Sequence, residues 1–229
     1  MRAPRHLRSR GPLTGFVLLL CAVGGAAWAA DRPAGWELSA GVAAGAVGPD
    51  TDLADYRWDT TPTAQTALQA LVSRGPLAAG LRVSRWSTTQ GTGLADDTPD
   101  PRVGTWQGEL VARVRVVTLL GVGVWASGQL GRMRLAYEPD QVVIPGALAG
   151  EDLTVDFAPI TETTLGAGLV LQRRLGRRLD VALEAERTGY AIDTAHRRGD
   201  EIVSQRQDFA NWSLRLGVAW AFASQGDAP

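Results

Sequence analysis

The 229-residue chain reads as an exported all-β protein, an eight-stranded antiparallel up-and-down transmembrane β-barrel. Three observations predict this. The chain opens on an export signal, strict two-residue alternation of apolar and polar side chains returns eight times, and the connections alternate between short turns and long polar loops.

Residues 1–29 are expected to be a cleaved signal peptide. Arg2, Arg5, Arg8 and Arg10 supply the positive start, an apolar stretch runs from Leu13 to Ala27, and Ala27-Trp28-Ala29 has the small-x-small form that signal peptidase reads. The apolar stretch is too short for a spanning helix. Leu20 stands before Cys21, where a lipid-anchor signal needs a small residue. Cleavage leaves residues 30–229 as one barrel domain. It also removes the single cysteine, so neither a disulfide nor a thiolate metal site is available. The remaining 19 arginines face 24 carboxylates, a net charge of −5, and the chain has no lysine. Such a balance offers nothing to nucleic acid. No residue pattern calls for a cofactor or a metal.

The strands follow in order. In the first, Trp36, Leu38, Ala40, Val42 and Ala44 oppose Glu37, Ser39, Gly41, Ala43 and Gly45, since side chains alternate across a pleated strand. The second, about 63–73, sets Leu68, Ala70 and Val72 against Gln65, Gln69 and Ser73. Around 76–88, Leu77, Ala79, Leu81 and Val83 oppose Ala78, Gly80, Arg82 and Ser84. Around 105–118, Leu110, Ala112, Val114 and Val116 oppose Glu109, Val111, Arg113 and Arg115. Next, Val122, Val124, Ala126 and Leu130 oppose Trp125, Ser127 and Gln129. Leu165, Ala167, Leu169 and Leu171 oppose Glu162, Thr164, Gly166 and Gln172. Leu179, Val181, Leu183 and Ala185 oppose Asp180, Glu184 and Glu186. The last strand is the clearest, with Trp212, Leu214, Leu216, Val218, Trp220 and Phe222 against Ser213, Arg215, Gly217, Ala219 and Ala221.

Short turns fall at Arg74-Gly75-Pro76, near Leu119-Leu120-Gly121 and at Leu175-Gly176-Arg177. Long polar loops fall at about 46–62, 89–104, 137–158 and 193–206. Short periplasmic turns, long external loops and an even strand count are the outer-membrane pattern. A soluble eight-stranded calyx has the same strand count, but it would turn its charges to water. Here one face is nearly free of charge over eight strands, while the other mixes acids, arginines, Gly and Ala. The charged face fits a small closed lumen. The uncharged face ends in aromatics, Trp36, Trp220 and Phe222 at the periplasmic end and Trp106 and Trp212 at the outer end, an aromatic girdle.

On these features the chain resembles the small outer-membrane barrels of the OmpA, OmpX and OmpW class over about residues 35–222. The resemblance is one of topology, together with a last strand that ends in Phe222. It implies insertion by the barrel-assembly machinery into outer-membrane lipid and lipopolysaccharide. It also implies residence in the cell outer membrane.

Parity predicts an inward set of six acids and four arginines: Glu37, Arg82, Glu109, Arg113, Arg115, Glu162, Asp180, Glu184, Glu186 and Arg215. Eight strands leave room inside only for side chains or one small ligand, so these charges are expected to pair across the lumen. Three functions follow as expectations. The first is a structural or surface-interaction protein with a lumen plugged by this network. The second is a narrow channel or porin for small solutes. The third is a lipid A-modifying acyl hydrolase, for which Ser204, His196 and Asp193 can be drawn as nucleophile, base and orienting acid. The acyl hydrolases of this fold carry a His-x-Ser pair, where this chain has His196-x-Arg198. Arg198-Gly199-Asp200 reads as hairpin-turn chemistry, and Asp50-x-Asp52 lacks the remainder of a calcium loop. The acidic loops name no external partner.

Overall fold

The computed structural model describes residues 35–91, 100–148, 151–198 and 201–222. The signal peptide, Gly199, Asp200 and Ala223–Pro229 lie outside the described residues.

Eight strands close into a barrel: β1 (Glu37–Gly48), β2 (Thr63–Arg74), β3 (Leu77–Thr89), β4 (Arg102–Leu119), β5 (Val122–Glu138), β8 (Ile160–Leu175), β9 (Leu179–Arg198) and β10 (Glu201–Phe222). Their order around the wall is β1-β10-β9-β8-β5-β4-β3-β2. Apart from the closing pair, every neighbour in space is also a neighbour in sequence once the outer hairpin β6 (Gln141–Leu148) and β7 (Glu151–Asp156) is set aside. The last strand closes on the first, from Leu38↔Phe222 to Gly48↔Trp212. A closed antiparallel ladder leaves no unpaired edge in the wall.

The alternation sorts the two faces. Leu68, Leu81, Leu110, Leu130, Leu169, Leu214 and Leu216 stand outward and exposed. Arg82, Glu109, Arg113, Glu184, Glu186 and Arg215 stand inward and buried. Tight turns close one end. Leu120 and Gly121 both take left-handed φ, 51° and 79°, the geometry that matches the right-handed twist of the paired strands.

Three expectations are corrected. The connection placed at 137–158 contains the β6–β7 hairpin, paired Gln141↔Asp156 to Ile144↔Leu153. The loop placed at 193–206 is mostly strand, because β9 and β10 stay paired up to Arg198↔Glu201. The loop placed at 46–62 begins as strand to Gly48 and then forms a 3-10 helix over Thr51–Tyr56. One physical reason covers the lengthened strands. Above the charged zone the inward residues turn apolar (Val47, Val103, Met133, Leu135, Tyr190, Ile192, Phe209) and pack as a buried cluster. Against an apolar-outward pattern, that inversion resembles lost alternation. A β-bulge between Arg115 and Val117 also breaks the parity of β4 near its turn.

Candidate functional site

The inner face of β9 reads the lumen from the turn end to the loop end: Asp180, Ala182, Glu184, Glu186, Thr188, Tyr190, Ile192 and Thr194. Each level meets different neighbours.

At the turn end, Arg174 donates to Glu37 at 2.7 and 2.5 Å and to Asp180 at 2.9 and 2.7 Å. Above it, Trp125, Val170 and Ala182 form a small buried apolar cluster, and the Arg115 guanidinium lies 5.6 Å from the Trp125 ring centroid as a cation–π contact.

Three arginines and three glutamates fill the middle. Arg82 donates to Glu109 at 2.8 Å, to Glu186 at 2.8 and 2.7 Å, to Glu184 at 3.2 Å and to Gln129 at 3.0 Å. Arg113 donates to Glu184 at 2.7 Å and to Gln69 at 3.0 Å. Arg215 reaches Glu184 at 3.3 Å, and it also donates to Glu186. The six side chains are 1–3 % exposed. A buried charge survives only if it is paired and its remaining donors and lone pairs are used. Three cations face three anions, with Gln65, Gln69, Gln107 and Gln129 around them, while the Nε donors of Arg113 and Arg215 stay buried without a hydrogen-bond partner. Glycine makes the room: a Cβ on Gly168 would collide with the Ala185 carbonyl oxygen and lie 2.5 Å from Glu186 Cγ. Beside Arg215 a space of about 10 Å³ remains, enough for a single water.

The sequence-derived inward set therefore divides. Arg82, Glu109, Arg113, Glu184, Glu186 and Arg215 come together in one cluster, while Glu37 and Asp180 join a separate one around Arg174. Arg115 stands apart on Trp125. Glu162 sits at the loop end, where Arg206 donates to it at 2.6 Å, and that bond pushes the Arg206 guanidinium further up from its ordinary value. Arg174 escaped the sequence reading, although it shares the parity of Gln172, because it lies next to the Leu175-Gly176 turn.

The loop end is aromatic. Tyr190 and Phe209 pack at 6.1 Å between centroids, and Tyr56 meets Phe209 edge-on at 6.1 Å. The 3-10 helix is fastened over this cluster. Leu53 is buried in it, and the Asp50 carboxylate accepts from the Asp52 amide at 3.0 Å and from the Ala210 amide at 2.6 Å. Asp50 is thus a helix cap tied to β10. Between the helix and the upper walls lies a pocket of about 540 Å³, lined by Tyr56, Trp58, Tyr137, Ile160, Ile192 and Phe209 among others. Further along the same loop, hydrogen bonds from Thr61 hold the Asp59 carboxyl below its ordinary range.

Among the described residues no group of three or more His, Cys, Asp or Glu side chains could hold a metal ion. Asp193 accepts from Arg206 at 3.3 Å, and the side chain of His196 lies outside the described residues.

The outward face decides the class. Trp36, Trp106, Trp212, Trp220 and Phe222 are all about half exposed or more, and between them the wall presents a continuous run of exposed leucine and valine. Charge inside and hydrocarbon outside reverses the pattern of a water-soluble domain and is what a bilayer demands. The fold is that of the small outer-membrane β-barrels. No family model and no curated protein matches the chain. Solved structures similar to it include Neisserial surface protein A, at 14% identity, 84% of this chain, 100% of that chain and a TM-score of 0.47. A major outer membrane protein from Thermus thermophilus shows 15% identity, coverage of 82% and 99%, and a TM-score of 0.46. The outer membrane protein AlkL shows 17% identity, coverage of 89% and 97%, and a TM-score of 0.42. The architecture described above rests on this chain's own strand pairing.

Proposed function

We propose that the chain is a resident of the cell outer membrane that serves as a closed barrel and works at its external surface. The observation that carries this reading is the balanced cluster of Arg82, Arg113 and Arg215 with Glu109, Glu184 and Glu186. Eight strands leave room for little more than side chains, and on this reading the cluster closes the lumen. Two further layers support it, the Trp125 cluster below and the aromatic cluster above. Insertion is read as the work of the barrel-assembly machinery, with Phe222 as the terminal aromatic opposite Leu38. The test is planar-bilayer recording of the refolded protein. The wild type is expected to give a silent bilayer, and steady single-channel steps would sink the closed-barrel reading. One observation favours a second reading, in which solutes are captured on their way to a narrow conduit: the pocket at the outer mouth. Steps blocked by an added solute would favour it.

A further inference from the structure

The pocket at the loop end is built by elements that a closed lumen does not require. β8 and β9 pair only from Leu165↔Gly189 toward the turn end, although β8 begins at Ile160 and β9 runs on to Arg198. Beyond that pair the wall parts, and Ile160 and Ile192 line the pocket from the two separated strands. The 3-10 helix supplies Asp55 and Tyr56. Arg57 follows in the left-handed region, at φ 63°, and turns the chain so that Trp58 bridges to Gln90 just past the end of β3. The fold thus spends a helix, a chain reversal and an opened seam on this one space.

Its walls are aromatic, and its charges are mainly acidic. Tyr56 meets Phe209 edge-on at 6.1 Å, and Trp58 meets Tyr137 edge-on at 6.5 Å. Rings paired in this way turn their faces in different directions, and each face carries the negative side of the ring quadrupole. Asp55 and Asp193 line the same space against one guanidinium, Arg57. The Asp55 carboxylate has no hydrogen-bond or ion-pair partner among the described residues. Asp193 shares Arg206 at 3.3 Å with Glu162, which holds it more closely at 2.6 Å. Over residues 50–59 four aspartates stand against that single arginine, so the field at the mouth of the pocket is negative.

A volume of about 540 Å³ is the size that holds a small organic molecule. A neutral hydrocarbon would use the rings and leave the carboxylates idle. An anion would meet the carboxylates with repulsion. An organic ammonium uses both, because its methyl or methylene groups pack on ring faces as cation–π contacts while its charge answers Asp55 and Asp193. We infer that the pocket binds an organic cation, an ammonium group carried on an apolar or aromatic body. This rests on the closed-barrel, external-surface reading above, in which the pocket is blind toward the lumen and open outward.

The experiment is isothermal titration calorimetry of the refolded barrel in a maltoside detergent, which has no ammonium headgroup to compete. Benzyltrimethylammonium is the probe, with benzyl alcohol as the neutral comparison and benzenesulfonate as the anionic one. Saturable one-to-one binding is expected for the cation, and binding at least tenfold weaker for the other two. Asp55→Asn is expected to weaken the cation about threefold and Arg57→Gln to tighten it by a similar factor, both effects shrinking as salt is raised. Tyr137→Leu is expected to weaken it about fivefold, the worth of one cation–π contact, and Trp58→Leu reads the same wall if Tyr137→Leu does not fold. The heat-modifiable gel shift checks folding of each protein. Benzyl alcohol or benzenesulfonate bound as tightly as the cation overturns the inference, and so does an affinity that neither charge variant moves. A silent planar bilayer without saturable cation binding removes the site alone, whereas single-channel steps remove the closed-barrel reading and leave the titration to decide the site.

Discussion

Arg82→Met is the most informative perturbation of the lumen. Arg82 makes five hydrogen bonds to four partners, three of them the buried carboxylates Glu109, Glu184 and Glu186. Methionine fills much of the same volume and donates nothing. It leaves three carboxylates facing only Arg113 and Arg215. Removing one partner of a buried ion cluster costs about 3–5 kcal/mol, because the desolvated charge left behind has lost its compensation. That corresponds to roughly a hundredfold to a few thousandfold in the folding equilibrium. Urea unfolding in lipid vesicles, followed by tryptophan emission, reads the effect as a shift in midpoint at unchanged slope. The double variant Arg82→Met, Glu109→Gln restores two cations against two anions and is expected to recover most of the loss. A single variant within about 1 kcal/mol of wild type, the size expected of an exposed pair, would refute the argument. A double variant worse than the single would refute it equally.

Gly168→Ala places a methyl against the Ala185 carbonyl and the Glu186 side chain. It is expected to destabilise by about 1–3 kcal/mol, the usual cost of overpacking, in the same vesicle assay. Leu110→Arg puts a charge on the leucine row of the wall and should cost about 2–4 kcal/mol if that row stands near the bilayer midplane. A cost close to zero would move the hydrocarbon boundary below Leu110. The Asp59 carboxyl, lowered from its usual 3.8 by Thr61, stabilises its loop above that value and ceases to do so as the pH falls through the lowered one. Protease nicking near Thr60 is therefore expected to stay constant from neutral pH to about 4 and to rise only below it.

The lower half of the barrel was legible in the sequence because, apart from the bulge near the turn of β4, it keeps one alternation. Leu214, Leu216 and Val218 alternate with Ser213, Arg215 and Gly217, and a two-residue period leaves no choice of face. Parity named the six residues of the central cluster, but it could not say that Arg82 would cross the lumen to Glu186, 104 residues away in sequence. That contact depends on barrel stagger, which no single strand encodes. Arg115 keeps its inward parity opposite Trp125, because the bulge comes only after it, but it meets that ring and not the central carboxylates. The upper half was not legible for a different reason. Tyr190, Ile192 and Phe209 keep the inward parity of Glu186 and Arg215, but their polarity is reversed, so the strands seemed to end where the lumen filling changed chemistry.

That change of filling bears on where the protein acts. The charged level is costly to assemble, since six ions must be desolvated and then paired, and it fixes the strands against one another only when every partner is present. The aromatic level carries a lighter condition: Leu53 and Phe209 pack by contact alone, and the buried Tyr190 hydroxyl is met by a single acceptor, Asn211, at 2.9 Å. A barrel that needed only to be closed could end at the charges. This one continues its strands upward and fills them with rings. It then ties a 3-10 helix across the top through Asp50 to the amide of Ala210. The upper layer thus holds the Thr51–Tyr56 segment in a defined position at the loop end. A segment held in this way positions binding residues with little ordering cost at the moment of contact.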